Sequence, residues 1–402
     1  MSSPTAPDRI STTEIDDALA RIAAGAVQRE RDGTRPFEQI DLVRKSGLGA
    51  LRVPSEFGGR GDDLRGFFDV LISLGRADPD VAQILRAHFG FGEVVRFLPD
   101  ADARRRWFEL FTSGSIVGNA VTERGPVQAG DFVGLATTFT PDGADHVIDG
   151  VKYYSTGTLY ADHVWVWGAT PDPLPISAVV PVSRVGVTVT DDWDGFGQRA
   201  TGSGTTRFDG VRAAADEVFA SSPDDPPAPR LTTGAFLQLY LTAIVAGIAQ
   251  AVSDDAVTLL RGRTRNFTHG NAELPREDPV LLQVAGELSA SAHAARSTVL
   301  AAADALDRAE RDLLAGRFDT GAAQDASLAA AHAKTVVDEL TLNAATRLFD
   351  VGGASATSRT ADLDRHWRSA RTLASHNSGP LKRGVVGDHL LHGTELPDNT
   401  YF

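Results

Sequence analysis

The chemistry open to this chain is limited first by a side chain that it lacks. None of its 402 residues is cysteine, which excludes disulfides, thiolate nucleophiles, cysteine zinc sites and cysteine-ligated iron–sulfur clusters. No G-x-G-x-x-G motif joins a strand to a helix, so a nicotinamide-binding domain is not indicated. Catalysis must therefore come from histidine, serine, threonine or carboxylate side chains, or from a borrowed cofactor, and we predict no metal site.

Two basic or glycine-rich motifs each allow a structural and a functional interpretation. RGRTRNF (261–267) gathers three arginines beside a phenylalanine, a composition typical of a solvated basic helix end that the helix dipole favours. Gly352-Gly353 is the kind of pair that usually caps a helix C-terminus. Both motifs could instead contribute to a binding site.

Tryptophans and isolated histidines are weaker signals. Trp165 and Trp167 alternate in HVWVWG as in a packed strand, although with Trp193 they could wall an aromatic pocket. His293 and His332 stand alone in apolar helical patterns, which favours a structural role for each.

The elements that must position these residues fall into three regions. Residues 1–114 predict a helical domain, beginning with a capping box of Ser11 and Glu14. Residues 115–228 consist of short β-branched and aromatic runs separated by turn residues, which predicts a compact antiparallel β domain. Residues 229–402 return to long alanine-rich helices after the proline-rich segment 221–230.

Three local patterns predict particular elements within these regions. One helix is predicted over 80–97. Pro141-Asp142-Gly143 between two strand-like runs predicts a turn, because glycine adopts positive φ at little cost. Asp278-Pro279 predicts the start of a helix, with Asp as the N-cap acceptor and Pro at the first helical position.

Overall charge and hydropathy restrict the partners. The chain has 39 Lys plus Arg against 53 Asp plus Glu, a net charge of -14 that disfavours nucleic acid. The longest apolar stretch, 237–252, is too short and too polar to span a membrane, and the N-terminus has no secretory h-region. We therefore expect a cytoplasmic protein without a membrane partner.

Six segments carry a resemblance when they are taken in order: LGALRVPSEFGG (48–59), NAVTERG (119–125), KYYSTG (152–157), GFGQRATGSGTTRFDGV (195–211), RGRTRNF (261–267) and LFDVGGASATSRTADLDRHWRSAR (348–371). Together they resemble the acyl-CoA dehydrogenase superfamily. The resemblance covers nearly the whole chain. It implies an α+β fold made of an N-terminal helical domain, a middle antiparallel β-barrel or sandwich, and a C-terminal four-helix bundle.

The same resemblance implies a flavin site. In that family the β domain holds the flavin ring, which implies Thr122, Ser155 and Thr156 here. Positive charge for the flavin phosphate comes from the segment after the first bundle helix, often across a subunit boundary, and a diglycine lies nearby. The residues implied at that end are Arg261, Arg263, Arg265, Phe267, Gly352 and Gly353.

The residue that replaces the family's catalytic base separates two functions. A dehydrogenase needs a carboxylate to remove the α-proton of a thioester, and many members carry that Glu shortly after a segment like WRSAR. Here Asn377 stands at the matching position, and an amide cannot act as a base. A base elsewhere, such as Glu287, keeps an FAD-dependent acyl-CoA dehydrogenase as an alternative.

The C-terminal segment 364–393, together with RAHFGFG (86–92) and DDWDGFGQRATGSG (191–204), resembles the two-component flavin monooxygenases on this fold. That branch includes dibenzothiophene monooxygenase and the amine and amino-sugar N-hydroxylases. It implies reduced FMN from a separate reductase, dioxygen, and a flavin hydroperoxide that oxygenates a small organic substrate at sulfur, nitrogen or carbon.

The resemblance also implies which residues serve the oxygenated flavin. A histidine beside the ring can give or take a proton near neutral pH, and His376 is the first choice and His88 the second. Asn119, Ser155 and Thr156 could add hydrogen bonds. Trp193, Phe89 and Asn377 are the predicted substrate-pocket residues.

Three points remain open at the level of sequence. The substrate and its oxygenated atom are not fixed, nor is a CoA thioester substrate excluded. A non-catalytic scaffold that kept the fold is a further alternative.

The resemblance implies a homotetramer with flavin at subunit interfaces, and the alanine-rich helices could support one.

Overall fold

The computed structural model describes residues 11–125, 132, 134–172, 174–220, 227–399 and 401–402. Within the first of these ranges the chain forms the helices α1 (Thr12–Ala23), α2 (Ala26–Asp32), α3 (Phe37–Ser46), α4 (Leu64–Ala77), α5 (Pro79–Ile84), α6 (Arg86–Arg96) and α7 (Ala101–Thr112). The predicted capping box is present, because Ser11 accepts from the N–H of Glu14 and Glu14 accepts from Ser11. One helix predicted over 80–97 is two, since the chain turns at Leu85, which bonds Ala82 O at 3.3 Å.

A sheet of eight strands follows. The strands are β1 (Val117–Ala120), β2 (Thr138–Asp142), β3 (Asp145–Lys152), β4 (His163–Ala169), β5 (Pro175–Pro181), β6 (Val187–Thr190), β7 (Thr205–Ala213) and β8 (Val218–Ala220). Their order is β6-β7-β3-β2-β4-β5-β8, with β1 beside β4. The predicted turn joins β2 to β3, where Gly143 adopts φ 66°, a value that glycine tolerates without strain.

The prediction of an antiparallel β domain was incomplete. β1 pairs with β4 in parallel, and so does the first residue of β2, Thr138, with Ala169. A parallel pair needs a long connection that returns to the same end of the sheet, and the β2–β3 hairpin with the loop after it supplies that length. The parallel pairing of β1 matters because it places Asn119 at the edge where that loop returns.

The C-terminal region is a helical bundle formed by α8 (Pro227–Gly262), α9 (Pro279–Leu314), α10 (Thr320–Gly352), α11 (Arg365–Ala374) and α12 (Gly379–His392). Asp278 caps α9 ahead of Pro279, as predicted. The proline-rich segment was predicted to run to Arg230, but α8 already begins at Pro227, and residues 221–226 lie outside the described residues.

Helix α8 is the central element of the bundle. By length and composition its stretch Pro229–Gly262 could cross a membrane, but 89% of its most apolar window is buried inside the protein, as in a core helix. It crosses α4 so closely that a Cβ on Gly247 would lie 2.4 Å from the Ile72 carbonyl oxygen. Only glycine permits that approach, which fixes the helical N-terminal region on the bundle.

A buried ionic cluster fixes α6 against the bundle as well. Arg52 donates through Nε to Glu93 on α6 at 2.8 Å and through Nη2 to Glu310 on α9, and all three side chains are buried. Arg96 donates to the same oxygen of Glu310 at 2.8 Å. Because removing one member would leave a buried charge unpaired, the cluster sets the position of α6 and of Arg86 at its start.

The segment after α12 folds back over the bundle. Gln324 on α10 holds Leu396 by two hydrogen bonds, one to its carbonyl at 3.1 Å and one from its N–H at 2.8 Å. The Phe402 ring is buried beside Ala331, and Lys382 donates to the Phe402 carbonyl at 2.7 Å. These contacts hold Tyr401 at a fixed place between the bundle and the sheet.

Candidate functional site

The loop after β3 gathers the predicted ring-binding residues beside β1. Asn119 bonds this loop three times: its N–H donates to Thr156 O at 3.2 Å, its Nδ2 to Tyr154 O at 3.4 Å, and its carbonyl accepts from Thr158 Oγ1 at 2.8 Å. Tyr154 adopts φ 56°, a left-handed conformation that costs free energy for a residue with a side chain. The strained turn therefore sets the direction of the next residue, Ser155.

The hydroxyl groups on this loop differ in whether they have a hydrogen-bond partner. Ser155 is fully buried and its Oγ has no hydrogen-bond partner among the described residues. Thr156 Oγ1 lies 2.8 Å from Ser203 Oγ, which in turn lies 2.7 Å from Thr201 Oγ1. A buried hydroxyl without a partner carries an unmet hydrogen bond, so Ser155 Oγ fits a bound group with a polar edge.

Tyr401 connects the sheet to the bundle at this point. Its hydroxyl lies 3.4 Å from Thr122 Oγ1, and its ring stacks on His376 with centroids 6.1 Å apart and planes 23° apart. Arg86, at the start of α6, is close enough to the Tyr401 hydroxyl to interact with it electrostatically. The structure thus brings Thr122, Tyr401 and His376 together, although they come from three distant parts of the chain.

His376 lies at the end of α11 in a hydrogen-bonded chain. Its Nδ1 is 2.9 Å from Asn377 Oδ1, and Asn377 Nδ2 donates to Gln238 Oε1 on α8. His376 is an exposed residue, although protein atoms lie around its ring. Desolvation and the nearby charges of Arg86 and Lys334 together lower the pKa of His376 to about 3, against the hydrogen bond with Asn377, which raises it. The ring is therefore neutral at physiological pH.

The predictions for His88 and Phe89 need correction. His88 is buried, its Nε2 bonds Gly49 O at 2.8 Å, and its Nδ1 accepts from Val117 N at 3.3 Å. Burial lowers the pKa of His88 to about 4, and neither nitrogen is left for catalysis. Phe89 packs in the core against Phe67 at 4.7 Å, so it does not line a substrate pocket.

The tryptophans separate into two groups. Trp165 is buried against Phe91 of α6, with ring centroids 5.6 Å apart, and belongs to the packing between helices and sheet. Trp193 lies instead beside Tyr154, with ring centroids 6.0 Å apart, and its Nε1 donates to Gln198 O at 2.9 Å. Of the predicted aromatic walls, Trp193 is the one that the structure places at the Ser155 loop.

The basic motif and the diglycine also meet, but elsewhere. Arg263 Nη1 donates to Val351 O, just before the diglycine at the end of α10. Gly353 has φ 66° and lies against Arg263 and Phe267: a Cβ there would be 3.8 Å from Arg263 Nη2 and 3.9 Å from Phe267 Cζ. Phe267 is exposed, as are Arg261 and Arg265. The cluster offers positive charge, an open aromatic ring and bare backbone to a phosphate-bearing group.

The rise per residue of an α-helix gives the distance between the His376 region and the Arg263–Gly353 cluster. Gln238, which contacts Asn377, and Arg261 both lie on α8, 23 residues apart, or about 35 Å along a helix. On α10, Lys334 donates to Ala374 O at 3.1 Å, and Gly352 follows 18 residues later, about 27 Å away. The ribityl chain of one flavin cannot span that distance within one chain.

Glu287, the other candidate for a thioester base, is engaged on the bundle surface. Arg347 forms an ion pair with it, and Gln283 donates to it at 3.0 Å. These hydrogen bonds lower the pKa of Glu287, so it stays an anion held by a cation. Neither Glu287 nor Asn377 offers the free carboxylate that a thioester dehydrogenase requires.

A separate cavity of about 630 Å³ does not share this chemistry. It lies where α1, α2, α5, α8 and α11 meet, and Asp78, Asp80 and Asp255 are among its lining residues with Arg29 and His366. None of the predicted site residues lines it. Its many charged walls suit an organic substrate poorly, because such pockets are mostly apolar.

Sequence reasoning missed three residues of the site. Gln238 had a signal, since it is a polar residue in an otherwise apolar helix that proves to be 1% exposed. Arg86 stands in RAHFGFG, where attention went to the histidine. Tyr401 had no local signal, because only the fold brings the chain end to Thr122 and His376.

Comparison with known proteins agrees with this arrangement. The family model described as acyl-CoA dehydrogenase, C-terminal domain, matches residues 239–379. Dibenzothiophene monooxygenase of Rhodococcus qingshengii is 29% identical over 92% of this chain and 90% of its own length. L-Evernosamine nitrososynthase of a Micromonospora strain is 30% identical over 88% of this chain and 82% of its own.

A solved structure matches over almost the full length. It is that of TdsC from Paenibacillus sp. A11-2 in complex with FMN and indole, with a TM-score of 0.89 and 26% identity. The match covers 97% of this chain and 99% of that one. The helix–sheet–bundle order therefore coincides with that of a protein whose structure contains FMN.

Proposed function

Because the chain belongs to the acyl-CoA dehydrogenase superfamily, in its branch of flavin-dependent monooxygenases, we propose that it transfers one oxygen atom from dioxygen to a small organic substrate. The cofactor is FMN, the first of the two flavins that the sequence suggested. We further propose that reduced FMN arrives from a separate reductase and that the oxygen atom is transferred to a sulfur, nitrogen or carbon atom of the substrate. Heteroaromatic and amine substrates of the relatives define the class to test.

The observation that carries this proposal is the amide at position 377. Asn377 is 7% exposed and bonded to both His376 and Gln238, so a fixed amide, and not a carboxylate, stands at the position that matches the family's base. The alternative of an acyl-CoA dehydrogenase requires a base that this arrangement does not supply. A site with a neutral histidine and the unpaired buried hydroxyl of Ser155 suits oxygen activation instead.

When bound in its reduced form, FMN supplies the redox chemistry that activates dioxygen. The chain's own residues have the tasks of binding, shielding and proton transfer. Ser155 Oγ, Thr122 Oγ1 and Asn119 are the groups that would hold the flavin ring's polar edge. Tyr401 and Trp193 are the aromatic side chains that would exclude water from the reacting centre.

His376 is the proposed catalytic residue. It is an exposed residue, and its ring is neutral near pH 7. A neutral imidazole can hold or move a proton during oxygen transfer without first having to lose one. The buried His88 has both nitrogens bonded to backbone and therefore leaves this task to His376.

The cluster of Arg263, Phe267 and Gly353, called the phosphate cluster below, supports an oligomer in which one chain alone does not complete the flavin site. Arg263, Phe267 and Gly353 lie just beyond the far ends of α8 and α10, too distant to hold the phosphate of a flavin whose ring is at His376 of the same chain. A second copy would supply that cluster, which agrees with the predicted homotetramer. Leu381, Leu390 and Leu391 on α12 are exposed and would be covered by further subunit contacts.

The delivery of reduced flavin can be tested with a dialysis membrane. The protein and a flavin reductase are placed in separate chambers that share FMN, NADH and dioxygen, with dibenzothiophene or indole beside the protein. We expect oxygenated product to form at a rate limited by flavin diffusion. Product formation only when the two proteins share a chamber would contradict free transfer, and no product from any substrate in either arrangement would contradict the function.

A further inference from the structure

Two buried side-chain amides take part in the hydrogen-bonded chain His376–Asn377–Gln238. Gln238 is 1% exposed and Asn377 is 7% exposed. A buried amide must find partners for its oxygen and its NH₂ group. Asn377 finds both at once, since Nδ2 donates to Gln238 Oε1 and Oδ1 faces His376 Nδ1 at 2.9 Å.

The chemistry of these atoms fixes the direction of the second bond. With the Asn377 NH₂ group used by Gln238, the atom presented to His376 is a carbonyl oxygen, which can only accept. His376 Nδ1 must then carry the hydrogen and donate it. No other hydrogen bond to this ring exists among the residues that the structure describes, so Nε2 keeps its lone pair.

We propose that Asn377, held in place by Gln238, is a positioning residue that fixes His376 as the Nδ1–H tautomer and leaves Nε2 as the proton acceptor. This inference rests on the catalytic role proposed for His376 above. It assigns Asn377 a task other than the substrate contact predicted from the sequence. It also specifies the role of His376, which enters the reaction as a base or hydrogen-bond acceptor and not as a donor.

The charges around the His376 ring also favour its neutral form, which can accept a proton. Arg86 on α6 and Lys334 on α10 both disfavour the imidazolium form, and Tyr401 covers one ring face. Lys334 is itself paired with Asp338 at 2.6 Å. A carboxylate at position 377 would act against this balance, because it would stabilise imidazolium.

His88 provides an internal contrast. Its Nε2 faces a carbonyl oxygen, that of Gly49, and its Nδ1 accepts from the Val117 N–H, so backbone fixes it as the Nε2–H tautomer. The two histidines therefore carry their hydrogens on opposite nitrogens. A measurement that resolves imidazole tautomers can distinguish them in the same sample.

The test uses full-length protein labelled with 15N-histidine and studied by solid-state NMR. The signal of His376 is identified by subtracting the spectrum of His376→Gln. We expect the wild-type difference spectrum to show Nδ1 protonated and Nε2 bare. Asn377→Leu removes the acceptor, so the signal should move toward the Nε2–H tautomer that free histidine prefers. Ser375→Ala, on the other side of His376, is the matched control and should change nothing.

The second measurement is the coupling of dioxygen consumption to product formation. In Asn377→Leu the product formed per dioxygen consumed should fall on the order of tenfold or more, with the difference released as hydrogen peroxide. Asn377→Asp keeps an acceptor oxygen and should restore the tautomer. Its negative charge should also shift the acidic limb of the pH profile upward by about one to three pH units.

The outcomes separate this inference from the function on which it rests. A wild-type spectrum with His376 in the Nε2–H form overturns the tautomer assignment, whatever the activity. An Asn377→Leu protein that keeps the Nδ1–H signal overturns the role of Asn377. Lack of monooxygenase activity in the wild type would overturn the proposed function alone, because the spectra need neither flavin nor substrate. FMN fluorescence quenching checks that each variant still folds and binds.

Discussion

Replacement of His376 by alanine should lower the rate of substrate oxygenation on the order of 10²-fold or more, which is the usual contribution of a positioned proton-transfer group. FMN binding should change far less, because Ser155, Thr122 and the phosphate cluster are untouched by the substitution. The measurement is product formed per dioxygen consumed, with reduced FMN in excess. Dioxygen should still be consumed, but it should leave mainly as hydrogen peroxide.

A matched control makes this result specific to the site. His392 lies exposed on α12 and pairs with Asp388 at 2.8 Å, so His392→Ala should behave as the wild type. Equal coupling in His376→Ala and wild type would show that another group handles the proton. His88→Ala would then be uninformative by itself, since loss of its two backbone bonds disturbs the core.

Replacement of Arg263 by alanine should weaken FMN binding by about tenfold to a hundredfold, the cost of losing a charge-assisted hydrogen bond to phosphate. Quenching of FMN fluorescence on titration with protein measures this directly. Arg276→Ala is a matched control, because Arg276 is exposed in the same connection between α8 and α9. It should leave the affinity unchanged.

Hybrid oligomers test whether the Arg263 cluster serves a neighbouring subunit. Arg263→Ala and His376→Ala chains, each inactive at low FMN concentration, are coexpressed with different tags, and the mixed oligomers are purified. If ring and phosphate are held by different chains, each hybrid pair has one intact site, and the mixed population should recover roughly a quarter of wild-type activity. Hybrids that stay inactive would place both ends of the flavin in one chain.

Local physical signals predicted much of the fold. The Ser11–Glu14 capping box, the turn at Gly143 and the Asp278–Pro279 helix start depend on a few adjacent residues, and each occurs as predicted. The parallel pairing of β1 with β4 could not be predicted in this way. It depends on the path of a long connection and not on the residues of either strand.

The site shows the same division between local and distant information. Ser155, Thr156 and Asn119 meet because one loop returns beside one strand, and motif resemblance identified them. His88 has the same local appearance as a catalytic histidine, but distant backbone groups of Gly49 and Val117 occupy its ring. Tyr401 joins the site only through the packing of Leu396 and Phe402 on the bundle.

This chain belongs to a branch of monooxygenases, and Asn377 stands where a thioester dehydrogenase needs a carboxylate. The most direct measurement is a reaction in 18O2 with reductase-supplied FMN and either dibenzothiophene or indole as the probe, followed by mass spectrometry of the product. We predict a product that carries one 18O atom and none from water. Unlabelled product, or reduction of protein-bound flavin by an acyl-CoA thioester under anaerobic conditions, would contradict oxygen transfer by this chain.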